Sequence, residues 1–257
     1  MSGIEPLTLA VGAWREWVEQ GLLVFARVAA VFSMAPVLGS RLVPMRVRVA
    51  CALAVTGILL PQVPQVSYDP LSPVGVGLIA LQIGIGLGLG FLLQLVFNAA
   101  TLAGEVVAMS MGLGFAQMVD PQNGVNVPVV SQFYLIAATL LFLALDGHLA
   151  LLSLLAESFV RLDAGLSVPA LLDFSKVLFD GALVIAIPVV TGLLIVNLTL
   201  GVMTRSAPQL NLFAVGFPVG LIVGFVFMLA ALPALQAVFT ALLDEAGAAA
   251  RLVSGVW

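Results

Sequence analysis

Residues 74–101 read VGVGLIALQIGIGLGLGFLLQLVFNAAT. An apolar run of this length exceeds any strand and predicts a helix able to cross a ~30 Å hydrocarbon core. Gly84, Gly86, Gly88 and Gly90 recur inside it at every second position. On a helix, Gly84 with Gly88 and Gly86 with Gly90 form two small-xxx-small ridges that point in different directions. Such a helix can pack closely on two sides, whether within one bundle or against a second subunit.

Five further apolar segments flank this one, at about residues 17–38, 49–60, 128–145, 178–203 and 212–243. The run at 49–60 gives only about 18 Å of helix, too short to cross a bilayer alone. Residues 149–160 are equally short and read as re-entrant. Pro188, Pro218 and Pro233 lie inside long apolar runs, where they remove ladder hydrogen bonds and bend helices. The fold class is therefore all-α: a polytopic integral-membrane helical protein with kinked helical hairpins, about six long apolar segments and a short re-entrant one.

Composition agrees. Of 257 residues, 62% are hydrophobic and 9% charged, with a mean hydropathy of +1.21. A soluble domain carries about 25% charged residues. Nine Lys/Arg and thirteen Asp/Glu cannot cover a water-facing surface, so lipid or partner proteins must. The net charge of −4 forms no basic patch, and no nucleic-acid partner is expected. The single cysteine, Cys51, excludes a disulfide framework. Residues 1–13 carry Glu5 and no Lys or Arg, unlike the start of a secretory signal, so the membrane segments are expected to be permanent.

Arg41, Arg46 and Arg48 cluster after the first segment, Arg205 lies between the last two, and the linker 61–73 holds Asp69 without a cation. The positive-inside rule then puts 39–48 and 204–211 in the cytoplasm and 61–73 outside.

Chemistry finds little to work with. The one histidine, His148, stands in Asp146-Gly147-His148 without further metal ligands or a G-x-S-x-G nucleophile. A polar turn at a helix end suits this trio better than a proton relay. Gly112-Leu113-Gly114 lacks the third glycine and preceding strand of a dinucleotide fingerprint, and no phosphate-binding P-loop occurs. No enzyme activity, cofactor or metal is expected. Two charges inside or beside apolar runs stand out. Arg27 is about 15 Å of helix from either end of its segment, too far to snorkel, and Glu105 follows the glycine-rich segment. Such groups face a partner or a wet cavity. They either bind ions, as in a transporter, or lock an interface; the scattered charges of this chain favour the interface. Arg27 is expected to meet helix-end carbonyls or a carboxylate, for which Glu105 is the candidate in type.

Residues 109–126 read MSMGLGFAQMVDPQNGVN. This stretch joins two helices, yet its first half is apolar and so calls for burial in protein. Gly112 and Gly114 give a bendable backbone. Phe115 supplies bulk, Met109, Met111 and Met118 are adaptable fillers, and Asp120-Pro121-Gln122-Asn123-Gly124 makes a turn. The combination suits either a deformable plug across a passage or a re-entrant packing loop.

Several motifs in register resemble one family. They are Ala35-Pro36-Val37-Leu38-Gly39-Ser40-Arg41 with Val43-Pro44-Met45-Arg46-Val47-Arg48, and Met111-Gly112-Leu113-Gly114-Phe115-Ala116 through Val119-Asp120-Pro121. Phe142-Leu143-Ala144-Leu145-Asp146-Gly147-His148 and Ala207-Pro208-Gln209-Leu210-Asn211, followed by Val215-Gly216-Phe217-Pro218, continue the series. Together, over about residues 30–225, they resemble the family of flagellar biosynthetic protein FliR and its relatives in virulence-type secretion.

That resemblance implies a subunit of the type III export gate, through which unfolded flagellar proteins cross the inner membrane at the flagellar basal body. It implies FliP-like and FliQ-like partners, and with them FlhB-like and FlhA-like export proteins. It divides the chain into a FliP-like part, about 1–175, and a FliQ-like helical hairpin, about 176–257. The plug it implies comprises Met109, Met111, Gly112, Leu113, Gly114, Phe115, Ala116, Gln117, Met118, Val119, Asp120, Pro121 and Gln122. Assembled subunits of the family sit largely above the membrane plane, facing the periplasm. That placement would account for the short and bent segments and stands against a topology drawn from hydropathy alone.

Overall fold

The computed structural model describes residues 5–40, 43–113, 129–160, 162, 165–206 and 212–255. Among them the regular structure is helical: α1 (Glu5–Met34), α2 (Met45–Leu59) with a 3-10 turn (Leu60–Gln62), α3 (Pro73–Ser110), α4 (Val129–Ala144) and α5 (Gly147–Glu157). Then follow α6 (Val168–Phe174), α7 (Val177–Ser206), α8 (Leu212–Ala230) and α9 (Leu232–Val253). Four helical stretches are long and apolar enough to cross a membrane: Trp17–Met34, Met45–Gln62, Pro73–Ser110 and Val168–Ser206. Two bent pairs raise the number to six if each counts as one span.

Several segment boundaries differ from those read in the sequence: the helix of the first segment, read as 17–38, runs Glu5–Met34. The second segment is not half-length: α2 begins at Met45, because Arg46 and Arg48 take part in its first turns. With its 3-10 turn it gives 18 residues, Met45–Gln62, about 27 Å at 1.5 Å per residue. α3 continues past residue 101 to Ser110. The final apolar segment is not one helix; it breaks at Ala231 with a bend of 54°. Pro233, second residue of α9, stands where a missing backbone N–H costs nothing. α7 and α8 continue through Pro188 and Pro218. α4 ends in a turn in which Asp146 takes φ +54°, a conformation that aspartate tolerates.

The chain forms two compact units. The first contains Met1–Gln94, His148–Phe174 and Ala246–Trp257; the second contains Leu95–Gly147 and Ser175–Glu245. In the first, α1 packs on α2, and its inward face carries Val24, Val28 and Val31 with no exposed surface. The linker after α2 is tied across α1: Gln20 Nε2 donates to the carbonyls of Val63 (2.7 Å) and Pro64 (3.3 Å), and Tyr68 Oη donates to Glu19 O (2.7 Å). The turn after α1 holds Val37 at φ +71°, where a β-branched residue is strained. Arg48 secures that turn by donating to Leu38 O (3.1 Å) and Ser40 O (3.0 Å).

The second unit has an aromatic centre. Phe97 of α3 meets Phe142 of α4 and Phe239 of α9 edge-on, each with ring centroids 5.5 Å apart. α7 packs on α8, and Val177, Gly181, Ile185 and Val189 mark its buried face over the first half of the helix. Beyond Leu193, large apolar side chains such as Leu194, Ile195, Leu198 and Val202 are exposed.

Candidate functional site

The segment read as a plug starts where α3 ends, and the end is sharply defined. Gly112 takes φ +83°. Leu113 N donates to Ala108 O and Gly112 N to Met109 O, each at 3.0 Å. These two bonds are the paired C-terminal closure that a left-handed glycine makes possible. Gly112 therefore terminates a helix, a more specific task than general pliancy. Met111 is buried, Leu113 half-buried and Met109 exposed. Gly114, Phe115, Ala116, Gln117, Met118, Val119, Asp120, Pro121 and Gln122 lie outside the described residues.

Met111 rests in a groove on α8. A Cβ placed on Gly224 would meet Met111 Cε and Cγ at 2.7 Å and Sδ at 2.9 Å. One turn back, the same construction at Gly220 reaches Met111 O at 3.8 Å, and a Cβ on Gly112 would lie 3.5 Å from the Phe217 ring. Beside this seat opens a cleft of about 680 Å³. Its walls are the end of α3, Asn197, Leu200 and Gly201 of α7, and Gly216, Phe217 and Gly220 of α8. No ionisable side chain is among these described residues, and the walls are largely apolar. Gly216, Gly220 and Gly224 were not singled out as a set in the sequence, although three glycines at four-residue spacing are the signal of a close-contact ridge.

Arg27 has no exposed surface. Its Nε donates to Gln82 Oε1 at 2.8 Å; Nη1 donates to the Ser158 carbonyl and lies 3.0 Å from Ser158 Oγ. Its Cζ stands 4.4 Å from the centroid of the Phe159 ring. The partners are neutral: of the two kinds expected from the sequence, helix-end carbonyls or a carboxylate such as Glu105, the carbonyl is the one found, joined by Gln82. Ser158 follows the last residue of α5, where unsatisfied carbonyls carry the negative end of the helix dipole, so the cation is compensated without an acid. Gln82 extends the node by donating to Leu162 O at 3.2 Å. Glu105 is half-buried on α3.

The four α3 glycines face two sets of neighbours. A Cβ on Gly86 would collide with Arg27 O and with Ala30 Cβ (2.7 Å), and one on Gly90 with Met34 Cβ (2.7 Å), so this ridge lies against α1. Gly84 and Gly88 instead face Leu166, at 3.5 and 3.3 Å, and Gly88 also faces Leu171 and Val253. Among the described residues no group of three or more His, Cys, Asp or Glu side chains converges as a metal site. His148 is the second residue of α5, and its neighbour Asp146 forms the turn.

Residues 18–246 match the family described as bacterial export proteins, family 1. The flagellar biosynthetic protein FliR of Escherichia coli (strain K12) is 38% identical over 226 residues, covering 86% of this chain and 87% of that protein. FliR of Pectobacterium carotovorum subsp. carotovorum is 40% identical over 223 residues, with 84% and 85% covered. FliR of Aquifex aeolicus (strain VF5) is 34% identical over 225 residues, with 82% and 84% covered. With four to six apolar helical spans and a match over most of its length, this chain belongs to family 1 of the bacterial export proteins, the family of flagellar biosynthetic protein FliR.

Proposed function

We propose that this chain is a structural subunit of the flagellar type III export gate in the bacterial inner membrane, and that it performs no covalent chemistry. With FliP-like and FliQ-like subunits it forms the channel through which unfolded flagellar proteins pass. FlhB-like and FlhA-like proteins are its further partners, and the assembled part faces the periplasm at the basal body. Residues 1–175 take the FliP-like role and residues 176–257 the FliQ-like role. The observation that carries the reading is family membership over residues 18–246. The relatives named above are flagellar proteins, which favours flagellar over virulence substrates.

Residues 109–122 serve as the seal. A channel wide enough for an unfolded chain leaks ions unless closed, and an apolar constriction closes it by excluding water. The apolar cleft where this segment leaves α3 supports that role. Removing residues 114–122 from the co-expressed gate should leave the complex assembled and raise its passive ion conductance, with Phe115→Ala acting more weakly. An assembled deletion complex as tight as the wild type would reduce the segment to packing.

A further inference from the structure

The turn that ends α1 is strained, and one side chain of α2 holds it. Leu38 N donates to Pro36 O at 2.9 Å around Val37, whose φ is +71°. A three-residue turn with a positive central φ is the rare, strained form of the γ-turn, and a β-branched residue suits it badly. Gly39 leaves no slack beside it: its N donates to Ala35 O at 2.7 Å, and a Cβ there would meet Ala35 O and Ser33 O, each at 2.6 Å. Backbone strain of this kind persists only where the surroundings over-determine it. Here Arg48 does so, reaching back from α2 to Leu38 O (3.1 Å) and Ser40 O (3.0 Å). α2 itself is lightly attached. Its buried residues are Ala52, Thr56 and Leu59, a single stripe. Beyond its far end, Gln20 and Tyr68 tie the linker across α1.

We propose that this arrangement is a sprung joint. The turn at Val37 stores strain, Arg48 is the catch that holds it, and release of the catch swings the first turns of α2 away from the end of α1, about the tie between Gln20 and Val63. Both acceptors of Arg48 are neutral carbonyls, and the residue is half-buried, so the catch releases more readily than a sealed pair with a carboxylate would. The joint is independent of the sealing role of residues 109–122.

The test measures the separation of α1 and α2 by EPR in the co-expressed complex. Spin labels are carried on Ser33→Cys and Ala50→Cys, both exposed positions, with the single native cysteine removed as Cys51→Ser. With Arg48 intact, one short-distance population should dominate. Arg48→Met should add a longer-distance population and raise the open-to-closed ratio on the order of tenfold or more, as loss of two bonds from a charged donor implies. In that background Val37→Gly should be roughly tenfold more closed than Val37→Ala, the factor that a Cβ costs in the left-handed region. At an ordinary φ the order is the reverse, because glycine loses more freedom on folding than alanine. The sign therefore separates stored strain from lost packing. An Arg48→Met complex that stays closed overturns the catch, and equal opening of Val37→Gly and Val37→Ala overturns the spring. If Arg48→Met does not assemble, the thermal midpoints of Val37→Gly and Val37→Ala with Arg48 intact decide. A higher midpoint for Val37→Gly supports the joint, and an equal or lower one overturns it.

Discussion

Arg27 sits among neutral partners, which changes what its loss should do. In an ion pair, removing one member strands a buried charge at a cost of about 3–5 kcal/mol. Here Arg27→Met removes the charge together with its desolvation penalty and leaves only neutral acceptors, Gln82 Oε1 and the Ser158 carbonyl, without donors. Each such group costs about 1–3 kcal/mol. Gln82→Leu does the reverse. It strands a guanidinium N–H and also removes the donor to Leu162 O. One guanidinium nitrogen, Nη2, already lacks a partner among the described residues, so the cation has no spare compensation. Gln82→Leu should therefore lower the melting temperature of the purified complex more than Arg27→Met does. The opposite order would mean that the guanidinium is carried by Ser158 and Phe159 alone. Arg27→Lys should resemble a loss, because one ammonium cannot span the fork between Gln82 and Ser158.

At the scale of the element, α3 shows how one helix keeps two faces apart. Its Gly86/Gly90 ridge abuts the backbone of α1, and its Gly84/Gly88 ridge abuts side-chain ends. Backbone cannot move aside, whereas the tip of a leucine can. Gly86→Ala must push α1 away from α3 and should cost about 1–3 kcal/mol as overpacking. Gly84→Ala meets Leu166 Cδ2 at 3.5 Å, ordinary contact, and should be neutral or gain up to about 1 kcal/mol from helix propensity. Yield and thermal midpoint of the two variants, made in the same expression system, test this. Equal loss in both would show that the ridge against Leu166 is as unyielding as the one against α1. The two ridges were legible in the sequence because glycine spacing maps directly onto helix faces. Which ridge tolerates a methyl group was not, since that depends on whether backbone or side chain lies opposite.

At the scale of the whole molecule, the chain leaves much of its apolar surface uncovered by itself. Only 17% of the Met45–Gln62 stretch and 22% of Val168–Ser206 are buried within the chain. Phe179, Leu183, Ile187, Leu198 and Val202 of α7 and Ile222, Phe225 and Leu229 of α8 are exposed. Apolar surface on this scale is covered by lipid or by other subunits. Co-expression with FliP-like and FliQ-like proteins should raise the yield of this chain and give a discrete hetero-oligomer in detergent. A monodisperse, stable monomer that moves substrate unaided would instead identify a stand-alone transporter.

Composition and apolar run length were enough, by themselves, to determine an all-helical membrane protein, because 9% charged residues are too few to cover a water-facing surface and a run as long as residues 74–101 exceeds any strand. Motifs in register were enough to determine the family, and the mid-segment position of Arg27 was enough to mark it as a charge in need of partners. Tertiary structure decided the rest. Hydropathy sees the side chain and not the backbone angle, so it missed the break at Ala231 and the start of α2 at Met45. The sequence left Arg27 a choice between a carboxylate and helix-end carbonyls, and the fold settled it with the carbonyl end of α5, a partner made of backbone that no residue type announces. Met111 and Gly224 are 113 positions apart in the chain (224 − 111). A methionine and a glycine carry no mutual signature at that distance, and only packing shows that one is the mould of the other.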